Sequence, residues 1–220
     1  MGEMVIPQLV RTRSGNNFTM SKTELMKQIK GEVFALTNSP LYQYRTEHKF
    51  FPVIGEGSHD AEIMFVGEAP GLNEAKTGRP FCGRAGLILD ELFASIGMDR
   101  KSVYVTNIVK DRPPQNRDPL PEEIKVYGPY LNRQIDIIKP KVVVALGRFS
   151  MQYIFQKFGL TDVLEPISKM HGRVFEATAP YGKISLVVLY HPAVAVYNPH
   201  SKDELKKDFA ILKQFAVRNG

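Results

Sequence analysis

Four side chains stand where they can act together on a flat, polar ring. Glu68 lies in the turn Gly67-Glu68-Ala69-Pro70-Gly71, Phe81 is held between Pro80 and Cys82-Gly83, and Asn107 and His191 each follow an apolar run. An aromatic face can stack on a heterocycle. A carboxamide offers a donor and an acceptor side by side, so it can read the ring's edge. An imidazole can hydrogen-bond an oxygen that gains negative charge. A carboxylate at Glu68, with a second at Glu74, adds an acid or a charge partner. Each residue also has a structural reading: a strand-end Asn caps turns, a Phe fills core, His-Pro ends a strand, and Glu beside Gly and Pro accepts backbone N–H groups. Joint placement separates the two readings.

That placement follows from the elements around them. Ile63 to Val66, Val103 to Asn107 and Lys141 to Gly147 are short, almost wholly apolar or β-branched runs. Such runs suit strands buried on both faces of a parallel sheet. Residues 171–190 predict a hairpin turning at Pro180-Tyr181-Gly182. Ser21-Lys22-Thr23-Glu24 is a capping box that opens a helix with the stripe Leu25, Ile29, Val33 and Leu36. Further helices are expected over Gly86 to Ile96, with Gly97 as its cap; from Pro121 toward Ile138, disturbed at Gly128-Pro129; over Phe149 to Phe158; and after a second capping box at Ser201-Lys202-Asp203-Glu204. Residues 41–60 read as irregular and Ala193 to Pro199 as a loop. Alternating strands and helices predict an α/β fold, a mainly parallel sheet with helices on both faces. The carboxyl ends of such strands share one edge, where open α/β sheets bind their ligands. Glu68, Asn107 and His191 all leave that edge.

The 220 residues suit a single domain, 1–220, with residues 1–18 polar and expected to be flexible. Hydrophobic residues make up 43% and charged ones 24%, a globular balance that argues against disorder. A net charge of +6 favours a polyanionic partner, nucleic acid first. The single cysteine, Cys82, excludes an internal disulfide and an all-cysteine metal site. No apolar run approaches the roughly 20 residues that span a bilayer, and Met1 to Asn17 lacks the apolar core of a signal peptide. A cytoplasmic protein without a membrane partner is expected.

Three long motifs carry a resemblance. Gly67-Glu68-Ala69-Pro70-Gly71 with Lys76-Thr77-Gly78-Arg79-Pro80-Phe81-Cys82-Gly83-Arg84-Ala85-Gly86 resembles the first motif of family 4 uracil-DNA glycosylases. Asn107-Ile108-Val109-Lys110 with Arg112 to Pro119 resembles the second, and His191-Pro192-Ala193 continuing to Asn198-Pro199 the last. Order and spacing hold from about Leu41 onward. The resemblance implies a three-layer α/β/α sandwich with a four-stranded, mainly parallel sheet, and an enzyme that excises uracil from DNA. It implies that Phe81 stacks on the flipped base, Asn107 reads its edge, and His191 stabilises the leaving anion at O2. Glu68 falls at an active-site carboxylate, Glu74 at an acid near C5 that excludes thymine's methyl group, Ala69 at a substrate-binding position, and Asn116 at a further catalytic position. The loop with Val194, Val196 and Tyr197 would enter the duplex as the base leaves the stack. Lys110, Arg112, Arg117 and Lys202 would hold phosphates. The implied partner is uracil-containing DNA, single- or double-stranded, bound by a monomer associated with the nucleoid when acting.

The chain also departs from that family. Its members hold a [4Fe–4S] cluster on four cysteines, and the matching positions here are Leu36, Ser39, Asp111 and Tyr127. None supplies a thiolate, so no cluster, metal or other cofactor is expected. Ala75 stands where many members have an acid. Arg112 to Pro119 is the short loop, without the basic insertion and extra histidine of the crosslinking relatives, so covalent trapping is not expected. No lysine matches a site position that would form a Schiff base, which implies a monofunctional enzyme. Two alternatives stay open: a glycosylase of wider scope acting on hypoxanthine or xanthine, and a non-catalytic DNA-binding relative.

Overall fold

The computed structural model describes residues 20–216, so the expectation for residues 1–18 lies outside the described residues. Strands β1 (Glu56–Gly57), β2 (Ile63–Gly67), β3 (Tyr104–Asn107), β4 (Val142–Leu146), β5 (Arg173–Ala179) and β6 (Gly182–Leu189) form one sheet in the order β1-β3-β2-β4-β6-β5. The four central strands β3, β2, β4 and β6 are parallel, and β1 and β5 pair antiparallel at the two edges. These four are the mainly parallel central sheet expected, and two further strands extend it. The extra edges are the outer arm of the hairpin and a two-residue strand. The latter needs Gly57, at φ +126°, because a Cβ there would overlap the Val103 carbonyl.

The pleat divides the core into two layers. On one face Met64, Val66, Tyr104, Val143 and Val188 pack against helices α1 (Lys22–Phe34), α5 (Pro121–Ile138) and α6 (Arg148–Lys157). On the other, Phe65, Val105, Val144 and Leu189 pack against α4 (Arg84–Ser95), α8 (Ala193–Tyr197) and α9 (Lys202–Phe209). Two short helices, α2 (Tyr42–Glu47) and α3 (Leu72–Thr77), precede α4; α7 (Ile167–Met170) precedes β5, and α10 (Lys213–Ala216) follows α9.

Local signals translate well where local chemistry decides. The Ser21 capping box closes in both directions. Gly97 follows α4 at φ +70°, as a left-handed cap requires. Three expectations change. The second capping box does not form, because a 3-10 turn, Pro199–Ser201, runs directly into α9 and Asn198 caps that turn instead. Ala193 to Pro199 is helical over its first five residues rather than a loop. Helix α5 runs unbroken through Pro129, which faces solvent, where the carbonyl it leaves unpaired can be hydrated.

Residues 41–60 hold α2, which lacks a side-chain N-cap. Tertiary contact stabilises it through Arg45. This buried guanidinium donates to the Val33 carbonyl at 3.1 Å, to Phe34 at 3.2 Å and to Leu36 at 3.4 Å, all at the end of α1. It also pairs with Asp111 at 3.1 Å. Tyr127 of α5 donates to the same carboxylate at 2.5 Å, and Ser39 lies 2.6 Å from the Tyr127 hydroxyl. Ser39 in turn accepts from the Leu41 N–H at 3.0 Å. Four segments distant in sequence are thus tied at one point. Burial raises the Asp111 pKa, and Tyr127 and Arg45 oppose that rise.

Removing one partner of a buried pair leaves an uncompensated charge, which costs about 3–5 kcal/mol. Arg45→Met is expected to lower Tm at pH 7 by roughly 6–20 °C for a chain of this size. Adding Asp111→Asn is expected to recover much of that loss. Calorimetry of both variants checks this; a double variant less stable than Arg45→Met would refute the pairing.

Candidate functional site

The sheet order places β2 between β3 and β4, so the chain leaves β2 in one direction for β3 and crosses to its other side for β4. This is a topological switch point, and the crevice at its carboxyl edge is where such sheets take ligands. Gly67 ends β2, Asn107 ends β3, Gly147 follows β4 and His191 lies two residues beyond β6. A Cβ on Gly67 would overlap the Asn107 Oδ1 and come within 2.6 Å of the Phe81 ring. A Cβ on Gly147 would stand 3.1 Å from that of His191. The two glycines let the other side chains converge. The Phe81 and His191 rings lie 5.6 Å apart between centroids, tilted by 31°. Asn107 is buried, and among the described residues its Oδ1 has no hydrogen-bond partner. A buried, unpaired acceptor costs free energy unless a ligand satisfies it.

Phe81 is set by its turn. Its φ of 48° is left-handed, uncommon for a bulky residue and characteristic of functional sites. Three contacts hold it there. The buried Glu74 of α3 accepts from the N–H groups of Cys82 at 3.0 Å and Gly83 at 2.8 Å through one oxygen. Arg100, paired with Asp90, donates to the Pro80 carbonyl at 2.7 Å. Gly86 lets α4 pass against the Phe81 carbonyl, which any Cβ would overlap.

Two titratable groups at this edge, His191 and Glu68, are displaced in opposite directions by one cause. Desolvation pulls the His191 pKa down to about 4, so the ring is neutral at pH 7. Its Nδ1 accepts from the Ala193 N–H at 3.2 Å. The ring proton therefore sits on Nε2, which becomes a donor. Desolvation pushes Glu68 up to about 7; the charge of Asp118 adds to the rise and that of Arg148 opposes it. Asp118 and Arg148 form an ion pair of their own.

Glu68, Asn107 and His191 thus share one sheet edge as expected, with Phe81 near them and Glu74 tied to its turn, and Ala69 follows Glu68, partly buried against the core. Lys110 does not do what was expected of it. It is wholly buried and cannot reach a phosphate. The chain after Asn107 turns inward, with the N–H groups of Ile108 and Val109 bonded to the carbonyls of Gly67 and Glu68, and carries Lys110 beneath the sheet. Arg112 already donates to Asn116 at 2.7 Å and to Tyr44 at 3.1 Å. Arg117 makes a two-pronged pair with the buried Glu123, at 3.0 and 2.6 Å. Asn116 is exposed at φ 55° and engaged by Arg112. Lys202 pairs with Glu91. On α8 Val194 and Val196 are half-buried over Ala195, whereas Tyr197 projects, 83% exposed. Arg100, Asp118 and Arg148 were not anticipated. Their signal is only spatial, since each acts from an element remote in sequence from the residue it touches.

The four positions that the resemblance sets against cluster cysteines do not carry the ligands of a [4Fe–4S] cluster. Two of them, Ser39 and Asp111, are linked through the hydroxyl of the third, Tyr127, in the Arg45 network, and the fourth, Leu36, gives that network one of its carbonyls. No thiolate stands there. Among the described residues no group of three or more His, Cys, Asp or Glu side chains is placed to hold a metal ion.

The opposed shifts predict a pH signature. A neutral His191 is stabilising above its unfolded pKa of 6.5, and that contribution is lost as pH falls toward 4. A protonated Glu68 is favoured below 7, so stability falls as pH rises from 4.5 to 7. Between 4.5 and 6.5 the two slopes oppose each other. Glu68→Gln removes one of them, so the variant is expected to lose stability on acidification from 6.5 to 4.5 more steeply than the parent. Urea unfolding across that range measures it; parallel curves would contradict the assignment.

Comparison with known proteins agrees with this geometry. Residues 54–213 match the model of the uracil DNA glycosylase superfamily. The chain is 46% identical over 193 residues to a type-4 uracil-DNA glycosylase of Sulfurisphaera tokodaii, covering 87% of this chain and 85% of the relative. It is 43% identical over 186 residues to the type-4 enzyme of Archaeoglobus fulgidus, covering 84% and 90%. With that of Thermotoga maritima it shares 38% over 207 residues, covering 91% and 99%. The chain belongs to the uracil-DNA glycosylase superfamily.

Proposed function

We propose that this chain is a monofunctional uracil-DNA glycosylase that works as a single-domain monomer without an iron–sulfur cluster. The observation that carries the reading is the unpaired Asn107 Oδ1 beside the Phe81 and His191 rings. The base leaves the stack and enters the crevice, stacking on Phe81. Uracil presents an N3–H donor to Oδ1 and its O4 to the amide N–H. Cytosine presents a lone pair where uracil presents N3–H, which leaves Oδ1 unsatisfied, and a site built on such bonds rejects the wrong ring strongly. The Glu74 carboxylate, locked into the turn that carries Phe81, is the group that stands against thymine's methyl.

Cleavage breaks the bond between C1′ and N1, and the electron pair leaves with uracil, spreading onto O2. The neutral His191 donates its Nε2–H to that oxygen. A donor already oriented needs no reorganisation as charge develops. A neutral imidazole is also a weaker acid than imidazolium, so the hydrogen bond stabilises the anion without handing over the proton. The sugar becomes cationic, and ionised Glu68 faces that charge and holds the attacking water. Water oxygen bonds to C1′, and its proton passes to the carboxylate or to solvent. Tyr197, the exposed tip of α8, fills the gap left in the duplex. The identities of 38–46% to type-4 enzymes over most of the chain support uracil rather than a wider range of bases.

Incubation with uracil-containing single- and double-stranded oligonucleotides, followed by alkaline cleavage of abasic sites, tests the activity. Excision of uracil is expected, with hypoxanthine released far more slowly. His191→Ala and Asn107→Ala are each expected to slow excision by roughly 100- to 1,000-fold, as loss of one preorganised donor does elsewhere, while DNA binding changes much less. No strand breaks with any damaged base, alongside retained DNA binding, would leave only a non-catalytic relative.

The cluster-free reading rests on the absence of thiolates at Leu36, Ser39, Asp111 and Tyr127 and on the polar network that joins them. Protein purified without oxygen is expected to carry no stoichiometric iron, to lack absorption near 400 nm (about where such clusters absorb), and to keep its Tm in a strong chelator. Four irons per chain would overturn this reading.

A further inference from the structure

Lys110 is a fully buried lysine that the reaction as described does not use. Its Nζ lies 2.6 Å from the Asn107 carbonyl, 2.6 Å from Gln134 Oε1 and 2.9 Å from Thr106 Oγ1. Burial pulls the Lys110 pKa well below the ordinary lysine value, and the geometry opposes that pull: three acceptors around one nitrogen match the three N–H bonds of an ammonium, whereas a neutral amine would set one lone pair against another. The acceptors are themselves oriented. Thr106 donates to the Ile54 carbonyl at 2.7 Å, and Gln134 Nε2 donates to the same carbonyl at 2.9 Å. Gln134 comes from α5, so the network anchors the end of β3 to a helix on the face of the sheet opposite the pocket. Side chains alternate along β3: Thr106 points to that helix and Asn107 to the crevice.

β3 ends at Asn107, and beyond it the Ile108 and Val109 N–H groups continue the bonds to the Gly67 and Glu68 carbonyls of β2. Those bonds hold the N–H side of the chain after Asn107; Lys110 supplies the bond to the Asn107 carbonyl. We propose that Lys110 is a positioning residue for base excision: from behind the sheet it clamps the Asn107 peptide, so that the carboxamide enters the pocket in a single orientation. The inference rests on the assignment of Asn107 as the residue that reads the base.

A double-mutant cycle distinguishes positioning from general support of the core. Lys110→Met keeps an unbranched apolar stem, one heavy atom shorter, and removes the donors. It is expected to lower kcat by roughly 10- to 100-fold, the scale of a small misplacement at the reacting centre, with KM for uracil-containing DNA little changed. In an Asn107→Ala background the carboxamide is gone, and Lys110→Met is expected to cost no more than about twofold further, within the limit of simple additivity. A wild-type kcat in Lys110→Met, or losses that multiply in full, would overturn the inference and leave the uracil reading intact. If Lys110→Met does not fold, Thr106→Val, which removes one of the three acceptors, goes through the same cycle with a smaller loss expected and the same criterion. A wild-type rate in Asn107→Ala would overturn the base-reading assignment and this inference with it.

Discussion

The site depends on the absence of a side chain at Gly67. Two structural decisions meet above that Cα. The sheet order brings the end of β3 beside the end of β2, so Asn107 arrives from one side. The left-handed turn at Phe81 brings an aromatic ring from the other. Both occupy the volume in which a Cβ of Gly67 would lie. Glycine at the end of a buried strand weakens the strand and exposes no apolar surface to pack. The structure offsets that loss elsewhere, with β2 flanked on both sides by parallel neighbours and wholly buried.

A crevice assembled from strand ends has a mechanical problem, since strand ends are where the hydrogen-bond ladder stops. The fold answers it with buried polar groups placed behind the pocket rather than in it. Glu74 and Arg100 hold the Phe81 turn from its N–H and carbonyl sides. Lys110, Thr106 and Gln134 hold the end of β3. Arg45, Asp111 and Tyr127 hold the chain just beyond it. Satisfied networks of this kind rigidify, because breaking any one bond leaves a buried group unpaired. In front of them lies little that is polar: one unpaired carboxamide oxygen, one neutral imidazole, and a carboxyl pushed up to about 7. Low polarity makes each of these groups count for more.

This division explains what could and could not be read from the sequence. The convergence of Gly67, Glu68, Asn107 and His191 on one sheet edge was readable because the apolar runs mark where each parallel strand stops. The parallel centre of the sheet was readable for the same reason. The supporting residues were not. Lys110 has the composition of a phosphate contact, and only the inward turn of Ile108 and Val109 takes it out of reach. Helix α2 has no cap and exists because Arg45 is buried beneath it. The Ser201 to Glu204 pattern satisfies the local rule for a helix start, but the chain reaches it already turning. In the first two cases a tertiary contact overrides the local signal, and in the third the turn just before it does.

The stretch from Thr106 to Asp111 shows why the two kinds of residue must interleave. Thr106 faces the α5 side and Asn107 the pocket, and the next residues bond back to β2 before Lys110 and Asp111 turn to their separate networks. Strand periodicity is two residues, so a slip of one would send Asn107 into the support and Thr106 into the crevice. Hydrophobic burial resists that slip only weakly here, because both residues are polar. Two anchors on the same short segment, one to α5 and one to the Arg45 junction, make the register unambiguous. The polar groups behind the sheet therefore specify which residue of the strand end faces the pocket, a task that apolar packing at this strand end cannot perform.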